Sequence, residues 1–416
     1  MSSSLFPTGE WLVDALADAP NPKPQAADKA RFGQLASLYT AFSSEFASFA
    51  LDVCVQAGCR SIADPFGGMG TMAEAARSKP LEMHLGDISP FAALSCAFRS
   101  APAEEILRVI DTARSVANQV TAEDETTFFA RMFDATGAQT PADFAKIMSS
   151  PTAQDHREAA LLIYVVALGR LRLHKGLAGS NPTWVKRANI DAGGDDARRA
   201  IIETSEIARI YATQLPNIHA QNSTSVFWTD IESQPIEPET LDAIITSPPY
   251  ANRTDYIRHY LPASELLLNL SGKDERSVRA KQIGTPLIRD VEPNAPLPAK
   301  ITAALHSIRT HSSYASERYY FKGFLYYFSD MYNAVEHMRK LLKPGGLLFM
   351  VVQDTYYKDV YVPTADLLGE IAINVGMQAV CRRDWRVNQH LSRLSPHSRR
   401  RLPNKVLSES LIGFSR

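Results

Sequence analysis

The chain has 416 residues, of which 45% are hydrophobic and 21% charged, and its formal net charge is −1. That length buries one large core and a subsidiary unit, and the composition excludes a disordered or fibrous chain. Near-neutrality excludes overall basicity as a route to a polyanion, so any nucleic-acid contact must come from local patches.

No run of apolar residues is long enough to span a bilayer, and the N-terminus lacks the basic-then-apolar pattern of a secretory leader. A cytoplasmic location without membrane attachment is the expectation. The cysteines Cys54, Cys59, Cys96 and Cys381 match no zinc spacing and read as buried thiols of a reducing compartment. His174, His306 and His311 have no partners at ligand spacing, so no metal is expected.

Residues 1–30 are rich in Ser, Pro and Ala and read as a loosely attached N-terminal arm. From about 32 to 58 the recurrence of Phe42, Phe46, Phe49 and Val53 predicts helix, with Ser43 and Ser44 as a start signal. Ser61–Asp64 is a short strand, followed by the glycine turn Pro65-Phe66-Gly67-Gly68-Met69-Gly70 and a helix opening at Thr71. Glycines there let the backbone approach a ligand closely. A second strand at about 81–88 ends in Asp87, and Ser89-Pro90 opens the next helix.

The strand–helix rhythm stops between 100 and 215. Helical patterns at 104–122, 156–175 and 195–214 predict a helical insertion. The sheet resumes with Ser225–Asp230 and then Leu241–Thr246. Next comes Ser247-Pro248-Pro249-Tyr250, where each proline removes a backbone donor and fixes φ, so the strand must stop. What remains is a stiff turn bearing a hydroxyl, carbonyl acceptors and an aromatic face, groups that suit a flat, amine-bearing ring.

Residues 251–320 read as an irregular insertion. A helix at about 321–342 runs through Lys343-Pro344-Gly345-Gly346 into a buried strand at 347–352. A helix at 363–375 and two closing strands, 378–385 and 406–414, complete the sheet, with the last two antiparallel neighbours. The fold expected is therefore α/β: a doubly wound, mostly parallel seven-stranded Rossmann-like sheet with one antiparallel strand and an inserted helical subdomain. The expected division is an arm (1–30), a cofactor half (31–100), the helical insertion (101–215) and a catalytic half (216–416).

The glycine turn and the Ser-Pro-Pro-Tyr turn, in this order and each after a strand, resemble the paired motifs of the DNA amino-methyltransferases. That family couples a Phe-x-Gly-x-Gly turn for S-adenosylmethionine with an (Asp/Asn/Ser)-Pro-Pro-aromatic catalytic loop. The resemblance covers about half of the chain, from about 30 to 100 and from about 222 to the end, and implies a methyltransferase sheet. It implies that Asp64, Phe66, Gly68, Gly70, Thr71, Asp87, Ile88 and Asp230 bind the cofactor, with a contribution from the helix start at Ser43 or Ser44. Asp87 would take the ribose hydroxyls, because a carboxylate accepts from both. Asp230 matches the position that contacts the adenine amine, and Phe66 flanks the methionine portion.

The same resemblance makes Ser247, Pro248, Pro249 and Tyr250 the catalytic set. Ser247 Oγ and the Pro248 carbonyl would draw the N–H groups of an exocyclic amine out of the ring plane, localising its lone pair. Ser247 could also donate to a ring nitrogen, and Tyr250 would stack on the base. Ser-Pro-Pro-Tyr is associated mainly with cytosine N4, and Asp-Pro-Pro-Tyr with adenine N6. A base paired in a duplex must be extruded first, which requires cationic surface near the pocket. Arg253 and Arg258 follow the turn, and Arg386, Arg393, Arg399, Arg400, Arg401 and Lys405 cluster near the end of the chain.

The continuation Asn252-Arg253-x-Asp255-Tyr256 resembles restriction-modification and defence-associated methylases. It implies double-stranded DNA as partner and a cognate restriction or defence nuclease beside it. Three functions follow: a DNA amino-methyltransferase acting on cytosine N4 or adenine N6, an RNA or nucleobase methyltransferase on the same fold, or an inactive methylase-like DNA-binding subunit.

Overall fold

The computed structural model describes residues 14–37, 41–174, 191–251, 254–289, 293–387 and 407–416. Its centre is a seven-stranded sheet built from β1 (Ser61–Asp64), β2 (Glu82–Asp87), β3 (Ser223–Trp228), β4 (Leu241–Thr246), β5 (Leu342–Gln353), β8 (Gln378–Val387) and β9 (Leu407–Ser415). A two-stranded hairpin, β6 (Thr355–Tyr357) and β7 (Val360–Val362), lies outside it. The strand order is β3-β2-β1-β4-β5-β9-β8, and β9 alone runs antiparallel to its neighbours. The order reverses between β1 and β4, the place where open α/β sheets form a crevice beyond their strand ends.

β1 and β4 are buried along their whole length, as expected of central parallel strands covered on both faces. Alternate residues go to opposite faces. Ile62, Ala243 and Ile245 join an apolar cluster with Phe46, Leu94 and Tyr164. Ala63 and Ile244 join a second one with Phe328, Met331 and Leu368. The Lys343–Gly346 turn predicted before β5 is absorbed into that strand as an irregularity, the register passing from Leu241↔Leu342 to Ala243↔Leu347.

Among the described residues of 101–215 the helices are Ala103–Gln119, Glu125–Asp134, Pro141–Ser149, Gln154–Leu173 and Gly194–Ala212. Their apolar faces belong to the same cluster as β1, through residues such as Ile110, Phe128, Tyr164 and Tyr211. A buried ion pair adds to the join. Glu74, 4% exposed, accepts from Arg99 Nη2 and Arg31 Nη2, each at 2.7 Å, and from the Tyr211 phenol. Burial alone would raise its pKa, but Arg99, Tyr211 and Arg31 bring it down to about 2.

Two expectations need correction. The described part of the arm is not loosely attached: Leu16 and Ala19 are buried, and Ser43 N donates to Pro22 O at 2.6 Å. The stretch 251–320, expected to be irregular, contains the helices Tyr256–His259, Leu261–Ser271, Glu275–Lys281 and Ala299–Arg309. Pro262 in the first turn and Gly272 in the left-handed C-cap delimit the second of these.

Candidate active site

The glycine turn leaves the carboxyl end of β1. Gly68 and Gly70 hold φ of +51° and +78°, in the left-handed region that favours glycine. At Gly70 the reason is also spatial, since an added Cβ would lie 2.9 Å from Cys96 Cα and 3.2 Å from Ser95 O. The turn is therefore pressed against helix Pro90–Ser100, whose N-cap is Ser89. Asp87, at the end of β2, clasps it: Oδ2 accepts from Gly68 N at 2.9 Å and Oδ1 from Ser89 N at 2.8 Å. Burial raises the Asp87 carboxyl to about 6 in spite of these donors.

The Ser-Pro-Pro-Tyr turn leaves the carboxyl end of β4, one strand away. Ser247 Oγ donates to Val351 O of β5 at 3.2 Å. With its proton engaged there, the hydroxyl keeps its lone pairs to accept from an amine; the donation to a ring nitrogen suggested by the sequence would require breaking that bond. Tyr250 is fixed at both ends, its N–H donating to Tyr256 Oη at 2.9 Å and its phenol to Glu409 Oε1 at 3.0 Å. A Cβ at Gly284 would come within 3.1 Å of Tyr250 O, so the other side of the turn is closed as well. Burial, followed by the Glu409 charge, pushes the Tyr250 phenol well above its usual range.

Both turns border one cavity of about 450 Å³. Phe66, Gly68, Asp87, Ile88 and Asp230 line it together with Ser247, Pro248, Pro249 and Tyr250. Asp230 caps the short 3-10 turn Ile231–Ser233 through Ser233 N at 3.1 Å, and Lys281 Nζ lies 3.7 Å from its other oxygen. The Ile88 carbonyl is held by Trp228 Nε1 at 3.0 Å.

Other expected residues are not in that cavity. Asp64, 2% exposed, is turned onto Thr246 and Phe66 N and lies behind the wall. Gly70 packs on the helix beneath the turn. Thr71 lies in a separate, very small pocket beside Arg99 and Glu74, which Ser44 also borders. Ser43 is fully buried as the N-cap of helix Ser44–Gln56, its Oγ engaged by Asn21 O and Phe46 N. Arg258 is exposed and paired with Glu275 at 3.5 Å, and Arg386 is exposed on the edge strand β8; neither lines the cavity. Arg253, Arg393, Arg399, Arg400, Arg401 and Lys405 lie outside the described residues.

The sequence reading missed several wall residues. Tyr256, Tyr260, Lys281 and Gln282 come from the helical stretch after the Ser-Pro-Pro-Tyr turn. Arg289 and Asp330 face each other in the wall as a two-armed ion pair, with Nη1 to Oδ1 at 3.1 Å. Burial raises the Asp330 carboxyl, and Arg289 opposes that rise. The local signals for ordered structure in this stretch are the caps Asp255 and Asp274, Pro262 in a first helical turn and Gly272 at a helix end.

Among the described residues no group of three or more His, Cys, Asp or Glu side chains is placed to hold a metal ion, and no helix is long and apolar enough to cross a membrane. No protein-family model and no curated protein matches the chain.

Proposed function

We propose that the chain is an S-adenosylmethionine-dependent DNA amino-methyltransferase, acting on the exocyclic amine of an extruded base, with cytosine N4 favoured over adenine N6. One observation carries the reading: Gly68 and Ser247, from motifs far apart in sequence, line a single cavity at the point where the strand order reverses.

The residues present fit the cofactor. The volume lies in the range of small-molecule sites. Asp87 sits at the end of β2, where a ribose diol would meet it, and Asp230 at the end of β3 offers an acceptor to an adenine amine. The wall carries four carboxylates, Asp87, Asp230, Glu232 and Asp330, against Lys281 and Arg289, which suits a ligand bearing ammonium and sulfonium charges. When bound, S-adenosylmethionine supplies an electrophilic methyl group on a positively charged sulfur.

The chain's own residues do the rest. Ser247 Oγ, its proton on Val351 O, accepts from the amine and draws lone-pair density onto the nitrogen. In the transfer that pair would form the new N–C bond as the S–C bond broke with its electrons left on sulfur, and the cationic amine would then lose its proton to solvent. Tyr250 holds the base by stacking, worth about 1–3 kcal/mol. Positioning for in-line attack can supply on the order of 7–11 kcal/mol. No strong base is needed beforehand.

Serine in place of aspartate before Pro-Pro favours cytosine, and restriction-modification or defence, with a nuclease partner, is the setting that the Asn252-to-Tyr256 continuation suggests. The test is transfer of tritiated methyl to unmethylated genomic DNA, followed by nucleoside chromatography. Label in N4-methylcytosine is the expected result. Label in N6-methyladenine corrects the base, incorporation only into RNA replaces the polymer, and no label in either polymer sinks the proposal.

A further inference from the structure

Strand β9 brings a carboxylate to the back of the Ser-Pro-Pro-Tyr turn. Glu409 stands 159 residues after Tyr250 in sequence and is 3% exposed. Its Oε1 takes the Tyr250 phenol proton at 3.0 Å. Among the described residues its Oε2 has no hydrogen-bond partner, and it faces Lys23 Nζ at 4.0 Å. Lys23 is itself held by Gln353 Oε1 at 3.0 Å, and Gln353 is the cross-strand neighbour of Glu409. The phenol is thus anchored to two paired strands of the sheet, and not to another loop.

A tyrosine fixed only at its backbone can still turn about its side-chain torsions. A hydrogen bond at the far end of the ring fixes the direction of the ring axis, and so the place where a base would meet the ring. A buried carboxylate is costly to retain unless its partners use it. Here, among the described residues, the one hydrogen-bond donor to the Glu409 carboxylate is the phenol of the turn.

We infer that Glu409 is a positioning residue for the transfer step, holding the Tyr250 ring in place through its phenol so that the extruded base is held in line for attack. This rests on the reading of Tyr250 as the stacking residue given above.

The test is steady-state methyl transfer to unmethylated genomic DNA by Glu409→Ala, Glu409→Gln, Tyr250→Phe and the double variant Glu409→Ala/Tyr250→Phe. Glu409→Ala and Tyr250→Phe each lower kcat on the order of ten-fold, the loss that goes with one hydrogen bond to a charged group. KM for S-adenosylmethionine stays unchanged. The double variant is no worse than either single one, because both remove the same contact. Glu409→Gln recovers most of the loss, since its amide oxygen accepts the same proton. In protein labelled with 3-fluorotyrosine, the Tyr250 fluorine resonance, assigned by its disappearance in Tyr250→Phe, moves in Glu409→Ala and stays in Glu409→Gln.

Losses that multiply in the double variant, or a Glu409→Gln as poor as Glu409→Ala, overturn the inference. If Glu409→Ala does not fold, Tyr250→Phe removes the same bond, and full activity there overturns it equally. Wild-type protein that labels neither DNA nor RNA overturns the methyltransferase reading together with this one. Wild-type transfer that is indifferent to the loss of the bond overturns this one alone.

Discussion

Thr246 Oγ1 donates to Asp64 Oδ1 at 2.6 Å, so β4 and β1 are joined at the point where the two loops of the site diverge. The opposite ends are joined too, through Asp242 Oδ2, which accepts from Arg60 N at 2.7 Å and Ser61 N at 2.9 Å. The distance between the two turns is thereby set by side chains as well as by the ladder. Burial lifts the Asp64 carboxyl to about 7, against the pull of Thr246 and Phe66 N. The folded state therefore binds a proton between pH 4 and 7 that the unfolded chain has released, and stability falls as pH rises through that window. Between pH 5 and 8 the loss from this group is about 2–3 kcal/mol. Urea midpoints at the two pH values should differ less in Asp64→Asn than in the wild type; an equal difference would show that Asp64 titrates normally.

Asp87 sets a second pH dependence, of opposite sign and on ligand binding. Burial raises its carboxyl to about 6, and under the proposed function only the ionised form would accept from both ribose hydroxyls. The dissociation constant for S-adenosylmethionine should rise about ten-fold from pH 7 to 5, by calorimetry. Asp87→Asn should weaken binding on the order of ten-fold at pH 8 and flatten the profile. A wild-type affinity that is flat from pH 5 to 7 would remove Asp87 from the ribose.

Ser247 and Tyr250 should separate transfer from cofactor binding. Tyr250→Ala is expected to lose turnover on the order of 10- to 100-fold, the equivalent of one stacked base, while binding S-adenosylmethionine as the wild type does. Ser247→Ala should behave in the same way through loss of the acceptor. A Tyr250→Ala protein that binds the cofactor poorly yet turns over normally at saturation would place the ring beside the cofactor.

Gly70 predicts a loss of stability without a change of chemistry. In Gly70→Ala the new methyl meets Cys96 Cα and Ser95 O, backbone that cannot swing aside, at a φ that alanine avoids. Unfolding free energy should fall by about 2–4 kcal/mol. A variant within half a kcal/mol of the wild type in urea would mean that the helix moves to make room.

The strands were legible in sequence because their chemistry is local. β1 and β4 are short, buried segments, each stopped by proline, Pro65 and the glycine turn in one case and the Pro248-Pro249 pair in the other. Asp87 and Asp230 are expected at the cavity from their places near the carboxyl ends of neighbouring strands, and both line it; Asp64, at the end of β1, does not. Helices Glu125–Asp134 and Pro141–Ser149 escape a sequence reading although Asp124 and Thr140 cap them, because each is too short to show a sustained apolar period. Asp64 and Thr71 were placed in the pocket by motif alone, whereas buried partners on neighbouring elements hold them behind it. Glu409 gave no signal at all. Its neighbours in sequence are strand residues, and only the β5–β9–β8 order brings it to Tyr250.

The Asp64–Thr246 contact spans 182 residues of chain. During synthesis β1 must wait roughly 10–40 s for the segment that will lie beside it. For that interval one side of β1 is a bare hydrogen-bonding edge in a nascent polypeptide, open to pairing with any other extended segment nearby. The separation that lets two halves of a pocket be built on neighbouring strands also leaves the sheet without its central pairing until β4 has been made.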